Sequence, residues 1–177
     1  VVILLDPGSS LSVRVAVAIV FGTAAYGKFR APAAFRETLR DYRLLPSFAL
    51  PAVAGFLPIV EAGVAVTLPF TVLRVSCLVA SVLLVIFAGA MAANLARGRG
   101  QIDCGCSLGA GRTHRLRWQY VARNVFAAGI LLCLSPDMPS AAQMVTGVLG
   151  GIALFLVLEA ANTLWALEPP SASARAA

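Results

Sequence analysis

Apolar runs near residues 11–27, 48–70, 75–95, 118–134 and 143–165 occupy most of this chain and confine it to a small set of folds. A bilayer core about 30 Å thick needs roughly 20 apolar residues per crossing helix, and backbone polar groups inside it must be bonded within the segment or its barrel. The runs predict an all-α, multi-pass transmembrane bundle of four or five helices over residues 1–167, with a disordered tail at 168–177. Composition agrees: 59% of the 177 residues are hydrophobic and 12% charged, against about 25% charged in soluble domains. The net charge of +6 does not indicate nucleic acid, because the basic residues sit in short segments beside apolar runs, the placement that sets membrane topology. The lipid bilayer is the first partner implied, and a bacterial inner cell membrane the expected location.

The polar residues within this scaffold are few enough to weigh singly. The first run lacks a positive leader and a small-residue cleavage pattern, so it is expected to be a retained helix, with Arg14 snorkelling near its start. After it, Phe35, Leu39 and Tyr42 recur at helical spacing with Arg36, Arg40 and Arg43 one residue on, which predicts an interfacial amphipathic helix closed by Pro46. The second run carries Pro58, expected to kink it, and Glu61 one turn later. The fourth carries Arg123 and Asn124 beyond Trp118; the fifth carries Glu159 and Asn162, with Gly147, Gly150 and Gly151 offering close helix contact. An ionisable group at membrane depth costs at least ~2.5 kcal/mol and should be paired. Glu61 is therefore expected to pair with Arg123. Glu61, Arg123 and Glu159 could alternatively line the polar path of a non-enzymatic carrier or assembly subunit.

Between the third and fourth runs lies Asp103-Cys104-Gly105-Cys106-Ser107-Leu108-Gly109. A reactive thiol needs solvent access and nearby positive charge that lowers its pKa. Arg97 and Arg99 precede the pair and Arg112, His114, Arg115 and Arg117 follow it, so Cys104 and Cys106 are candidates for thiol-disulfide exchange, with Arg112, His114 or Arg115 stabilising the thiolate. A bridge across one glycine is strained and hence labile, which suits exchange. Idle thiols and a partial metal site remain open, although Cys104, Cys106 and His114 make three ligands where tetrahedral zinc takes four. No metal is assigned. Cys77 and Cys133 lie inside apolar runs and read as buried hydrophobes. No cofactor motif is present; a quinone is a candidate electron partner, with no residue that identifies its site.

The motifs resemble the methylamine utilisation protein MauE family, within the wider group of DoxX-like small membrane proteins. The resemblance is carried by Tyr26-Gly27-Lys28-Phe29, Ala31-Pro32, Phe35, Asp41-Tyr42-Arg43-Leu44-Leu45-Pro46, Glu61 after Pro58, Asp103-Cys104-Gly105-Cys106, and Trp118 followed by Arg123-Asn124. Ser107 stands where that family usually has phenylalanine. The resemblance implies a redox or maturation factor working beside a thioredoxin-like protein on a disulfide-containing substrate, such as the small subunit of methylamine dehydrogenase.

Orientation is pulled two ways. Five crossings put Lys28, Arg30, Arg36, Arg40 and Arg43 on one face with Arg97, Arg99, Arg112, Arg115 and Arg117, against Arg14 and Arg74 on the other. The positive-inside rule then places the dithiol in the cytoplasm. The role implied by the resemblance places it outside, where disulfides persist.

Overall fold

The computed structural model describes residues 6–70, 74–101, 116–134 and 139–167. They form six helices: α1 (Pro7–Arg30), α2 (Pro32–Tyr42), α3 (Leu50–Thr67), α4 (Arg74–Ala96), α5 (Trp118–Cys133) and α6 (Ala141–Leu167). The chain is an all-α, multi-pass membrane protein. Four of the helices, α1, α3, α4 and α6, are long and apolar enough to cross a bilayer.

Helix α1 is the axis of the bundle and extends beyond its apolar run at both ends. At its start Asp6 caps it: the carboxylate accepts from the Gly8 N–H at 3.0 Å, and Pro7 takes the first turn, where its missing N–H costs nothing. At its end Phe21, Ala24, Ala25 and Lys28 continue one buried face to Arg30. Arg14, expected to reach back to the membrane boundary, is instead buried, with 6% of its surface exposed. Its position on the packed side of the central helix leaves no lipid-facing route outward.

Helix α6 lies parallel to α1 at close range. A Cβ added to Gly151 would stand 2.5 Å from the Val15 Cβ, and one on Gly150 2.7 Å from the Ser12 hydroxyl. The absence of side chains there lets the backbones approach, the use of small residues expected between membrane helices. The starts are tied as well: Gln143 donates through Nε2 to Asp6 at 3.0 Å, while its Oε1 accepts from the Ser140 N–H at 2.9 Å in a capping box.

The parallel pairing settles the role of α5. With 16 residues it is about 24 Å long, short for a crossing. Yet it runs antiparallel to α4: Ser81 donates to the Ala128 carbonyl at 3.1 Å, and Met91 clusters with Tyr120. Since α1, α4 and α6 all run the same way, α5 returns the chain through the bundle. Five helices thus alternate in direction through the bundle, four of them long enough to cross a bilayer, and the described ends of the chain lie at opposite ends of it. The main core lies among α1, α3, α4 and α5 around Phe21, Leu68, Leu84 and Leu131.

Helix α2 has the expected amphipathic form. Pro32 occupies its first turn, Phe35 is its buried residue, Arg36 and Arg40 are exposed, and Arg43 ends it in the left-handed region at φ 48°. It packs against α3 and covers that helix where α3 extends past the end of α1.

Candidate functional site

The buried acid of α3 is satisfied by α1. Lys28 donates to both carboxylate oxygens of Glu61, at 2.6 and 2.7 Å, with the side chains 9% and 0% exposed. The ammonium also lies 5.3 Å from the Phe35 ring centroid on α2 and 5.8 Å from that of Phe87 on α4. One cation thus joins four helices. The expected Glu61–Arg123 pair does not form. Lys28 reaches Glu61 because α1 continues past its apolar run, turning what looked like a loop lysine into the last buried residue of a helix.

Arg123 belongs to a separate cluster. Its Nη1 donates to the Asn162 Oδ1 at 3.2 Å and its Nη2 to the Asn124 Oδ1 at 3.4 Å, while the guanidinium stands 5.5 Å from the Tyr120 ring centroid. Asn162 in turn donates to Glu159 at 3.4 Å. Four polar residues are therefore linked across α5 and α6, with amide groups between the arginine and the acid. Glu61, Arg123 and Glu159 form two clusters rather than one chain.

Both clusters border one cleft. Helices α3 and α4 meet at few points, and the gap between them is a cavity of about 570 Å³ that also reaches α1, α2 and α5. Its walls are nearly all apolar, among them Leu57, Leu83, Phe87 and Met91, with Lys28, Glu61, Arg123 and Asn124 supplying charged and amide groups and Thr38 and Tyr42 hydroxyls. Ile86, more than half exposed, stands at its rim, so the cleft opens sideways toward lipid.

Cys104, Cys106, Arg112, His114 and Arg115 lie outside the described residues, but the points where their segment leaves and re-enters the bundle do not. Just past the Ala96 end of α4, Gly98 at φ 72° forms a left-handed cap, with the Arg99 N–H donating back to the Asn94 carbonyl at 2.9 Å. A Cβ on Gly100 would lie 3.5 Å from the Leu116 carbonyl oxygen, so the chain departs and returns at one place. Leu116 is buried with Met91 and Tyr120 and packs with Tyr42 and Leu95, at the end of the bundle where α2 sits. Cys77 and Cys133 are free, Cys77 buried and Cys133 half-buried.

The residues that converge here, Lys28 with Phe35, Glu61, and Arg123 with Asn124, all lie within the stretch that a known family's model matches. The family model for methylamine utilisation protein MauE matches residues 7–136. The chain belongs to the MauE family. It is 37% identical over 171 residues to the methylamine utilization protein MauE of Paracoccus denitrificans, covering 93% of this chain and 91% of that one. The MauE of Paracoccus versutus is 37% identical over 182 residues, 98% of this chain and 97% of its own. That of Methylophilus methylotrophus is 36% identical over 128 residues, 72% and 67%. No solved structure matches the chain. Lys28 is the residue of this candidate site that sequence reasoning placed wrongly, in a loop. Its signal was available: continuing the Phe21, Ala24, Ala25 face by three residues lands on it.

Proposed function

We propose that this MauE-family protein is an inner-membrane thiol-disulfide maturation factor in which Cys104 and Cys106 are the exchanging pair. The reading is supported chiefly by one observation: the segment that carries them is anchored at the basic end of the bundle, between the exposed Arg97 just after α4 and Arg117 just before α5. Positive charge favours the thiolate, which is both nucleophile and leaving group in exchange. Arg112, His114 and Arg115 add to that field. In the forward direction a thiolate of the substrate attacks the Cys104–Cys106 disulfide, one sulfur leaves as thiolate, and a second substrate thiolate resolves the mixed disulfide. The substrate gains a disulfide and the pair is left reduced. A thioredoxin-like protein is the natural intermediary, the relatives' names point to methylamine utilisation, and the small subunit of methylamine dehydrogenase is the substrate that the resemblance implies.

Complementation of a host lacking this protein tests the reading, with the disulfide state of the substrate followed by alkylation and gel shift. Cys104→Ser and Cys106→Ser should each abolish maturation, whereas Cys77→Ser and Cys133→Ser should not. Full activity in the Cys104→Ser/Cys106→Ser double variant would overturn it.

A further inference from the structure

The cleft between α3 and α4 has a composition that selects its occupant. Its body is apolar and opens to lipid, so the ligand partitions into the bilayer. Its polar end is rich in donors and short of acceptors. Lys28 has three N–H donors, and the Glu61 oxygens engage it at 2.6 and 2.7 Å; the third donor has no acceptor among the described residues. Arg123 has five N–H donors in all, of which Asn162 and Asn124 take two. The one carboxylate lining the cleft, Glu61, is already occupied. What fits is a hydrogen-bond acceptor on an apolar body.

Depth then separates the candidates. Ser81 faces Ala128 and Met91 faces Tyr120, an antiparallel register that sets Arg123 level with Phe87, the ring beside Lys28. Phe87 lies about 13 Å inside the Ala96 end of α4, at 1.5 Å per residue. A phospholipid carried to that level would lose the hydration of two charged groups and meet only a few polar side chains. A neutral ring with carbonyl acceptors loses little. The volume lies within the range of small-molecule sites, about 300–1,000 Å³.

We infer that this cleft is an isoprenoid quinone site, with the carbonyl end of the ring at Lys28 and Arg123 and the tail leaving between α3 and α4. Its role as electron acceptor rests on the dithiol reading above. The Cys104 and Cys106 thiols lose two electrons and two protons to form their disulfide, and the quinone takes both to leave as quinol. Glu61 and Lys28 are the proton-exchanging groups nearest the ring.

The test uses the full chain in nanodiscs and decylubiquinone as probe. Saturable binding is expected in wild type, and equal binding in the Cys104→Ser/Cys106→Ser variant, since the cleft contains neither cysteine. Leu57→Trp and Ala90→Phe, which fill the cleft from opposite walls, should each weaken binding at least tenfold. Unfolding temperatures identify any variant that fails to fold, and the other wall then serves. Binding that does not saturate, that survives both fillings in folded protein, or that phosphatidylglycerol displaces at equal mole fraction overturns the inference. A cleft that binds no quinone while the cysteines prove essential removes this inference alone; bound quinone with dispensable cysteines removes the thiol reading and leaves the site.

Discussion

Removing the Glu61 carboxylate should be among the most damaging single changes in this protein, and the damage should disappear when Lys28 is removed with it. In Glu61→Gln the Lys28 ammonium stays 9% exposed, surrounded by Phe35 and Phe87, and loses a charged partner at 2.6 Å. Breaking a buried pair from one side costs about 3–5 kcal/mol, since the surviving charge keeps its desolvation penalty. The glutamine amide still accepts one neutral hydrogen bond, which puts the expected loss near 3 kcal/mol on that scale. Lys28→Met leaves Glu61 fully buried but free to take up a proton, so it should cost less, about 2 kcal/mol on the same reasoning. The Lys28→Met/Glu61→Gln variant keeps a buried amide but no buried charge and should fall within about 2 kcal/mol of wild type. Denaturant unfolding in mixed micelles measures all three, and the coupling energy should be about 3 kcal/mol or more, well above the ~0.5 kcal/mol within which independent sites add. Losses that simply add would refute the pairing. A Glu61→Gln protein as stable as wild type would refute the claim that the pair organises four helices.

Gly151→Val should drive α1 and α6 apart, because its Cβ alone would stand 2.5 Å from that of Val15 and 2.8 Å from the Ser12 carbonyl. A loss of about 3 kcal/mol or more is expected by the same unfolding assay. Gly63→Ala and Gly129→Ala, where nothing lies within 4 Å, should be silent. On the dithiol's side of the membrane, the positive-inside rule predicts that a membrane-impermeant thiol reagent leaves Cys104 and Cys106 unlabelled in reduced intact cells and labels them in inverted vesicles. Labelling in intact cells would reverse the orientation and favour oxidative maturation of an exported partner.

What could be read from the sequence follows from which signals are local. The amphipathic period of Phe35, Leu39 and Tyr42 is local, and α2 forms where it predicts. So are the small residues at 147, 150 and 151, which do meet another helix. Partner identity is not local. Glu61 announced that it needed a cation, but choosing between Lys28 and Arg123 depended on how far α1 continues. The apolar signal stops at Ala25, whereas the helix stops at Arg30, because Lys28 is neutralised where it lies and a polar residue there does not end the segment. Arg14 was misplaced for the same reason. Its exposure depends on which face α1 turns to the rest of the bundle, and a single helix does not reveal that.

The α4–α5 register is what brings these separate features into one place. It sets Arg123 beside the level of Phe87, and Phe87 is one of the rings facing Lys28. Two cations and one carboxylate therefore sit at one depth, around a gap that exists because α3 and α4 scarcely touch. Closing that gap would add van der Waals contact between α3 and α4, so an open cleft is not what packing alone would select. The same helices carry, one level further out, the cluster of Met91, Leu116 and Tyr120 from which the cysteine segment departs. A change that shifts α5 along α4 by one turn would move Arg123 about 5 Å from Lys28 while leaving each helix intact. The buried Ser81–Ala128 hydrogen bond, 3.1 Å long, holds that alignment together with the apolar packing around Leu84 and Leu131 and that of Met91 with Tyr120.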